Sequence, residues 1–395
     1  MSADAATTAA PGAAPAAGPG DALPPEAYAA AMAALPGMGP SRLAAILAAR
    51  PPEVAWRCLV QGVPWHDPGV VRALGGAAVK LIDQWRAAAG AVDVGASWRH
   101  IAELDVVVTM RGGPGYPGPL VHDVEPPPVA FHLGDPAILS GPRVAIVGTR
   151  RCSTTGRSVA AELGRDLASA GVSVVSGLAA GIDGAAHRGA LAVDGAPPVG
   201  VVGSGLDVVY PAGQRGLWDA VARTGLLLSE APPGARPERW RFPARNRIIA
   251  ALADLVVVVE SHRRGGSLHT VDEADRRGVD VFAVPGSVRN PAAAGTNELL
   301  AEGRAPACSA DDVLMALGLA ASRGAGPDPR PTPEPDDAEV LDLVGWQPAT
   351  LDELVLRTGR DLARLAPALD RLCQARWVER HGGWYERVGV ARAPR

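Results

Sequence analysis

Five short segments of this sequence place small residues just after solid apolar runs. Gly148, Thr149 and Arg150 follow VAIV, Ser176 and Gly177 follow VSVV, and Gly203 and Ser204 follow VGVV. Gly265, Gly266, Ser267 and Thr270 come soon after LVVVVE, and Gly286, Ser287, Gly295, Thr296 and Asn297 follow VDVFAVP. Glycine lets backbone approach a ligand closely and leaves amide N–H groups exposed at a helix start, which is the chemistry of an anion site. A single glycine at a strand end is also needed just to turn the chain. Five such loops together point to an anion.

The charged partners stand in RWRFPARNRIIAALADLVVVVE. Arg245, Asn246 and Arg247 sit where a helix is predicted to begin, so side-chain charge and helix dipole would act together. Residues 236–247 hold five Arg and one Glu, a local net charge of +4 in a chain whose formal charge is −4. Arg245 and Arg247 are two apart and cannot share one helix face. One is expected to meet the anion, while the other pairs with an acid such as Glu230 or Glu260. Guanidinium groups combined with neutral amide donors suit phosphate oxygens.

The elements that must position these residues follow from the texture of residues 144–286. Strand-like runs at 144–148, 172–177, 199–205, 225–230, 255–260 and 279–286 alternate with helical patterns. Runs of Val, Ile and Leu without alternation mark strands buried on both faces. Such alternation predicts a doubly wound parallel α/β sheet. In that architecture ligands bind beyond the carboxyl ends of the strands, where all five loops fall.

The flanks differ. Residues 1–22 are low-complexity and predict a disordered tail. Residues 23–95 predict a helical domain, with helices at 25–35, 40–49, 54–61 and 70–89. Within it LPGMGPSRLAAIL resembles a helix-hairpin-helix (SAM-like) unit, with Pro40 opening the second helix and Arg42 its nearest basic residue. Residues 96–319 are assigned to the sheet domain, with 96–135 irregular apart from DVVVTM and PVAFHLG. Residues 320–337 read as a Pro-rich linker. Residues 338–388 predict helices at 339–344, 350–358 and 361–375, then a hairpin around Gly382 and Gly383, the outline of a winged helix.

Composition narrows the function. With 20% charged residues, 4% aromatic residues and a pI of about 6.1, the chain cannot coat a polyanion by bulk charge, so any such site is local. Scarce aromatics predict a minor part for base stacking. Cys58, Cys152, Cys308 and Cys373 form no CxxC pair, which fits the reducing cytoplasm and no zinc site. No Walker loop appears, VAIV is followed by GTRRCSTTG rather than GxGxxG, and acid-rich metal clusters are absent, so no cofactor or metal is expected. Asp183 and His187 are four apart and could face each other on one helix turn. They read as a hydrogen bond that fastens the loop rather than as a catalytic pair.

Read in order, VAIVGTR, SGLAAGIDGAAHRGAL, VVGSGLDVVYP, LLLSEAPPGARPERWRFPARNRIIAALAD, GGSLHT and VFAVPGS…GTNELL resemble the DprA/Smf family of DNA-processing proteins over residues 100–310. The resemblance implies an extended Rossmann-like domain that binds single-stranded DNA and has no established catalytic activity. It implies a homodimer that protects incoming strands in natural transformation and loads the RecA recombinase, with single-strand-binding protein a further partner. By motif, Arg150, Ser176, Gly177, Arg245, Arg247, Gly266 and Ser267 would line a phosphate pocket. The chain departs from the family at Pro197 and Pro198, where relatives often carry a basic residue, and at Gly265, where they usually have Ser. Arg263 and Arg264 are placed to compensate. Two other readings fit parts of the sequence. GGSLHTVDE, with Glu273, approaches the loop of nucleotide phosphoribohydrolases but lacks its proline and spacing. The winged helix would suit a duplex-DNA regulator, although its arginines are balanced by acids and favour an accessory or protein-contact role.

Overall fold

In the computed structural model, which describes residues 22–319, 330–345 and 347–388, the central apolar runs become one nine-stranded sheet. The low-complexity start and residues 320–329 of the Pro-rich stretch lie outside the described residues. The chain divides into two compact units at residue 320.

The strands are β1 (Val107–Met110), β2 (Val129–Leu133), β3 (Arg143–Val147), β4 (Ser173–Ser176), β5 (Val199–Val202), β6 (Leu226–Ser229), β7 (Leu255–Val258), β8 (Asp280–Ala283) and β9 (Ala305–Pro306). Their order is β1-β2-β6-β5-β4-β3-β7-β8-β9. From β6 to β9 all pairings are parallel, whereas β1 and β2 add an antiparallel edge. The order reverses between β3 and β7, the switch point of a doubly wound sheet, beyond whose carboxyl ends ligands bind.

Successive side chains point to opposite faces of a strand, so each core run feeds two layers. Val144, Ile146, Val174 and Val257 pack under α7 (Thr154–Ser169) and α8 (Ile182–Ala190). Ala145, Val147, Val175, Val201 and Val256 pack under α10 (Arg241–Leu252) and α11 (Leu268–Asp275). Helices α7 and α8 touch backbone to backbone. A Cβ on Gly164 would collide with the Ala186 carbonyl, and one on Gly189 with the Ala161 carbonyl. The layers are completed by α9 (Arg215–Thr224), α12 (Ala294–Ala301) and α13 (Ala310–Ala316).

The N-terminal helices are α1 (Pro25–Ala33), α2 (Pro40–Ala49), α3 (Pro52–Gln61), α4 (Pro68–Leu74), α5 (Ala78–Gly90) and α6 (Val94–Glu103). They depart from expectation in two ways. The single helix expected over 70–89 is broken, because Gly75 takes a positive φ of 57°. Residues 96–103, expected to be irregular, belong to α6, whose start is capped by the Asp93 carboxylate accepting from the Ala96 amide at 3.0 Å. This helical layer shares one apolar core with the sheet: Met32, Ile46 and Trp85 pack in the same cluster as Phe131, Val202 and Leu227.

The second unit has helices α14 (Pro335–Val344), α15 (Leu351–Thr358) and α16 (Leu362–Gln374) and strands β10 (Ala349–Thr350), β11 (Val378–His381) and β12 (Trp384–Arg387). Its sheet order is β10-β12-β11, all antiparallel. Gly382 and Gly383, both at positive φ, make the two-residue turn between β11 and β12. Val340, Leu365, Leu369, Leu372 and Val378 form its core, which is the packing of a winged helix.

Candidate functional site

The expected helix start at Arg245 lies elsewhere. α10 begins at Arg241, so Arg245 and Arg247 occupy its second turn, beyond most of the dipole's reach. Their side chains part company, as their spacing requires.

Arg245 is buried beneath the carboxyl ends of β4 and β5. Its Nη1 donates to the Gly177 carbonyl at 2.9 Å and to the Val201 carbonyl. Its Nε reaches Asn246 Oδ1 at 3.3 Å. Burial pulls its pKa down to about 10, opposed by the Asp183 carboxylate, so it is a cation at neutral pH. The Gly177 amide in turn donates to Asp183 at 3.2 Å. A Cβ on Gly177 would lie 2.5 Å from the Arg245 guanidinium, so the glycine is what lets this cation lie against the backbone.

Arg150, exposed in the loop after β3, meets Arg245 in one cleft, together with Gly177, Tyr210 and Phe242. Its guanidinium carbon lies 4.9 Å from the centre of the Phe242 ring, which is 5.4 Å from that of Tyr210. Tyr210 and Phe242 were not among the residues singled out from the sequence. Their signal was an aromatic before proline in each case, YP after β5 and FP in α10. The 4% aromatic content therefore understates stacking at this edge, where two of the seven Tyr and Phe side chains converge.

Arg247 is elsewhere. Its Nη2 donates to both oxygens of Glu230 at 2.6 Å, and its Nη1 to the Glu125 carbonyl at 2.8 Å. Of the two acids named from the sequence, Glu230 is the partner, and the structure does not bring Arg247 into the cleft. Glu260 instead ties loops together, as described below.

The small residues divide similarly. Gly148 packs against Ile182 of α8 and the Glu260 carbonyl, and the Thr149 amide donates to that carbonyl at 2.7 Å. The hydroxyls of Ser176, Ser204 and Ser267 are buried and donate internally, to Ile146 O, Val208 O and Ser261 Oγ respectively. Thr270 is buried. Gly203 borders a neighbouring crevice with the hairpin residues Gly39 and Pro40, which Arg245 also lines. Arg42 of that hairpin is spent on the Gly37 and Ala73 carbonyls. Gly265 lies over Ser261. Gly266 is exposed, and its carbonyl accepts from Asn246 Nδ2 at 3.4 Å. The amides of Gly266 and Ser267 donate to no group among the described residues.

Asp183 and His187 do not pair. His187 Nε2 contacts the Val199 carbonyl at 3.2 Å, and Nδ1 is buried with no hydrogen-bond partner of normal geometry among the described residues. Burial drives the His187 pKa down to about 4. The unfolded chain takes up this proton near 6.5 and the folded chain only near 4, so folding stability is lost as pH falls through that window, by up to about 3 kcal/mol. The buried Asp183 and Glu230, whose pKa values are raised mainly by desolvation, act in the opposite sense. Denaturant titrations of wild type and His187→Gln across this range separate the terms: the variant is expected to lose the acid-side decline that histidine contributes.

With the cleft in place, relatives can be compared. Residues 107–318 match the family model of DNA recombination-mediator protein A, and residues 324–383 match the DprA winged helix domain. The chain belongs to the DprA/Smf family. It is 40% identical over 203 residues to the DNA processing protein DprA of Bacillus subtilis, covering 51% of this chain and 68% of that one. It is 42% identical over 269 residues to the putative DNA processing protein DprA of Mycobacterium tuberculosis, covering 65% and 68%. The crystal structure of DprA from Streptococcus pneumoniae superposes with a TM-score of 0.59 at 30% identity, over 74% of this chain and 98% of that one. DprA/Smf membership accounts for the mixed sheet and for the winged helix that follows it.

Proposed function

We propose that this protein binds single-stranded DNA through its sugar-phosphate backbone at the cleft of Arg150, Gly177 and Arg245. As a homodimer in the cytoplasm it would protect incoming strands during natural transformation and pass them to the RecA recombinase, without catalysing a reaction itself; single-strand-binding protein is a further partner in this reading. The observation that carries it is the convergence of an exposed and a buried guanidinium on one glycine, beside two aromatic faces, at the ligand edge of the sheet. Guanidinium and amide groups hold phosphates without reading bases, and aromatic rings stack any base, so binding is sequence-tolerant.

Two observations support this reading over its rivals. Glu273, which an enzymatic reading needs, is held by Arg276 at 3.0 Å and by Arg277. Arg371 of the winged helix is held by Asp337 at 2.6 Å and Arg360 by Glu339 at 2.8 Å, so two of its cations are already neutralised.

The test is fluorescence anisotropy of labelled oligo-dT over a salt series. Arg150→Ala is expected to weaken binding and to lower the log–log salt slope by about 0.7, the loss of one single-strand phosphate contact. Tighter binding to duplex than to oligo-dT, or an Arg150→Ala variant with unchanged affinity and slope, overturns the proposal. Release of free base from nucleoside monophosphates would restore the enzymatic reading.

A further inference from the structure

We infer that a bound strand does not stop at the cleft but runs on over the loops after β3, β7 and β8, where Arg263, Arg264 and Arg289 hold further phosphates. The inference rests on the proposed single-strand binding and extends its site.

One buried acid laces these three loops together. Glu260, at the end of β7, accepts from the Ser153 amide at 2.8 Å, the Ser153 hydroxyl at 2.6 Å and Asn290 Nδ2 at 3.0 Å. Ser153 belongs to the loop after β3 and Asn290 to the loop after β8. The loop after β7 is joined to the last of these by Gly295 N donating to Ser261 O at 2.7 Å, and by His262 Nδ1 lying 3.0 Å from Pro291 O. The three loops therefore form one fixed rim rather than three independent tips.

With Glu260 buried, the exposed charge of that rim is one-signed. Arg151, Arg263, Arg264 and Arg289 are all exposed on it, and none pairs with a carboxylate among the described residues. Segments 149–153, 261–267 and 285–291 contain no Asp or Glu. Some exposed or half-buried arginines elsewhere in the same unit find acids, as Arg57 does with Glu53, Arg276 with Glu273 and Arg304 with Asp275. Like charges gathered on one rim repel, and the repulsion is relieved when an anion lies across them. Arg150 borders both rim and cleft, so the rim continues the same path. A flexible chain carrying one charge per nucleotide fits it, and a single small anion would leave most of the rim unneutralised.

The experiment compares wild type with the Arg263→Ala/Arg264→Ala/Arg289→Ala variant on oligo-dT of about 6 and about 20 nucleotides, lengths that bracket a short and a long binding site. On the short oligonucleotide, which the cleft accommodates, the two proteins are expected to bind alike. On the long one the variant is expected to bind at least tenfold more weakly, with a salt slope smaller by about 2, as three lost phosphate contacts require. The matching Arg→Lys triple keeps the charges and is expected to keep the slope. A triple alanine variant with wild-type affinity and slope on the long oligonucleotide, while wild type binds both, removes this inference and leaves the cleft standing. Wild type that binds neither length overturns the cleft and the rim together.

Discussion

Arg247→Ala is expected to destabilise the fold by about 3–5 kcal/mol, the cost of leaving one member of a buried ion pair uncompensated. Arg247 and Glu230 are only 5% and 14% exposed at their side chains, and the guanidinium grips both carboxylate oxygens. It also holds the Glu125 carbonyl and so straps the segment before β2 to α10. Burial already pushes the Glu230 carboxyl above its ordinary range, with Arg247 as the main opposing influence. Without Arg247 the folded state would hold the proton more tightly still. The variant's deficit should therefore shrink as pH is lowered into the mildly acidic range, because the folded chain then binds a proton that the unfolded chain does not. Urea denaturation at neutral and mildly acidic pH reads both effects. A neutral-pH midpoint equal to wild type would show that the pair is not structural. Folded Arg247→Ala protein should keep its oligo-dT affinity, because the side chain does not reach the cleft.

That separation shows where sequence reasoning succeeds and where it stops. The parallel core was legible because strands covered on both faces have to be apolar at every position, as in LVVV of β7. The edge carrying the site followed from the architecture. The division of labour between two arginines two apart was legible as a necessity of helix geometry, but which arginine took which role was not. It depends on Glu230 lying on one side of α10 and the Gly177 and Val201 carbonyls on another, which only the packed sheet determines. Hydroxyls were misleading in the same way. Ser176 and Ser267 look like phosphate donors in a glycine-rich loop, yet both are buried and spend their protons on neighbours, a carbonyl and a hydroxyl. Helix α6 was missed because its opening, VDVGAS, has little helical propensity, and its start is set by one capping carboxylate. Tyr210 and Phe242 belong to no periodic pattern, so nothing local marked them as meeting across the cleft.

Gly177→Ala should produce the largest loss of single-strand binding for the smallest change in chemistry. The added methyl would sit 2.5 Å from Nη2 and 2.7 Å from Cζ and Nη1 of Arg245. The guanidinium cannot retreat without cost, since moving it breaks the bonds from Nη1 to the Gly177 and Val201 carbonyls. Either the arginine leaves the cleft floor or the backbone after β4 shifts away from Arg150, and both outcomes break the convergence of the two cations. Overpacking of this kind costs the fold about 1–3 kcal/mol. Loss of a charge-assisted contact of about 1.5–3 kcal/mol corresponds to roughly a 10- to 150-fold weaker complex. The salt slope should fall as well, because a displaced cation no longer releases a counterion. Gly266→Ala is the control, since a Cβ there meets nothing within 4 Å. It is expected to leave the Arg245 contacts, and with them most of the affinity, intact. Should Gly177→Ala bind oligo-dT as tightly as wild type while remaining folded, the phosphate cannot lie between Arg150 and Arg245, and the rim arginines would have to carry the strand alone.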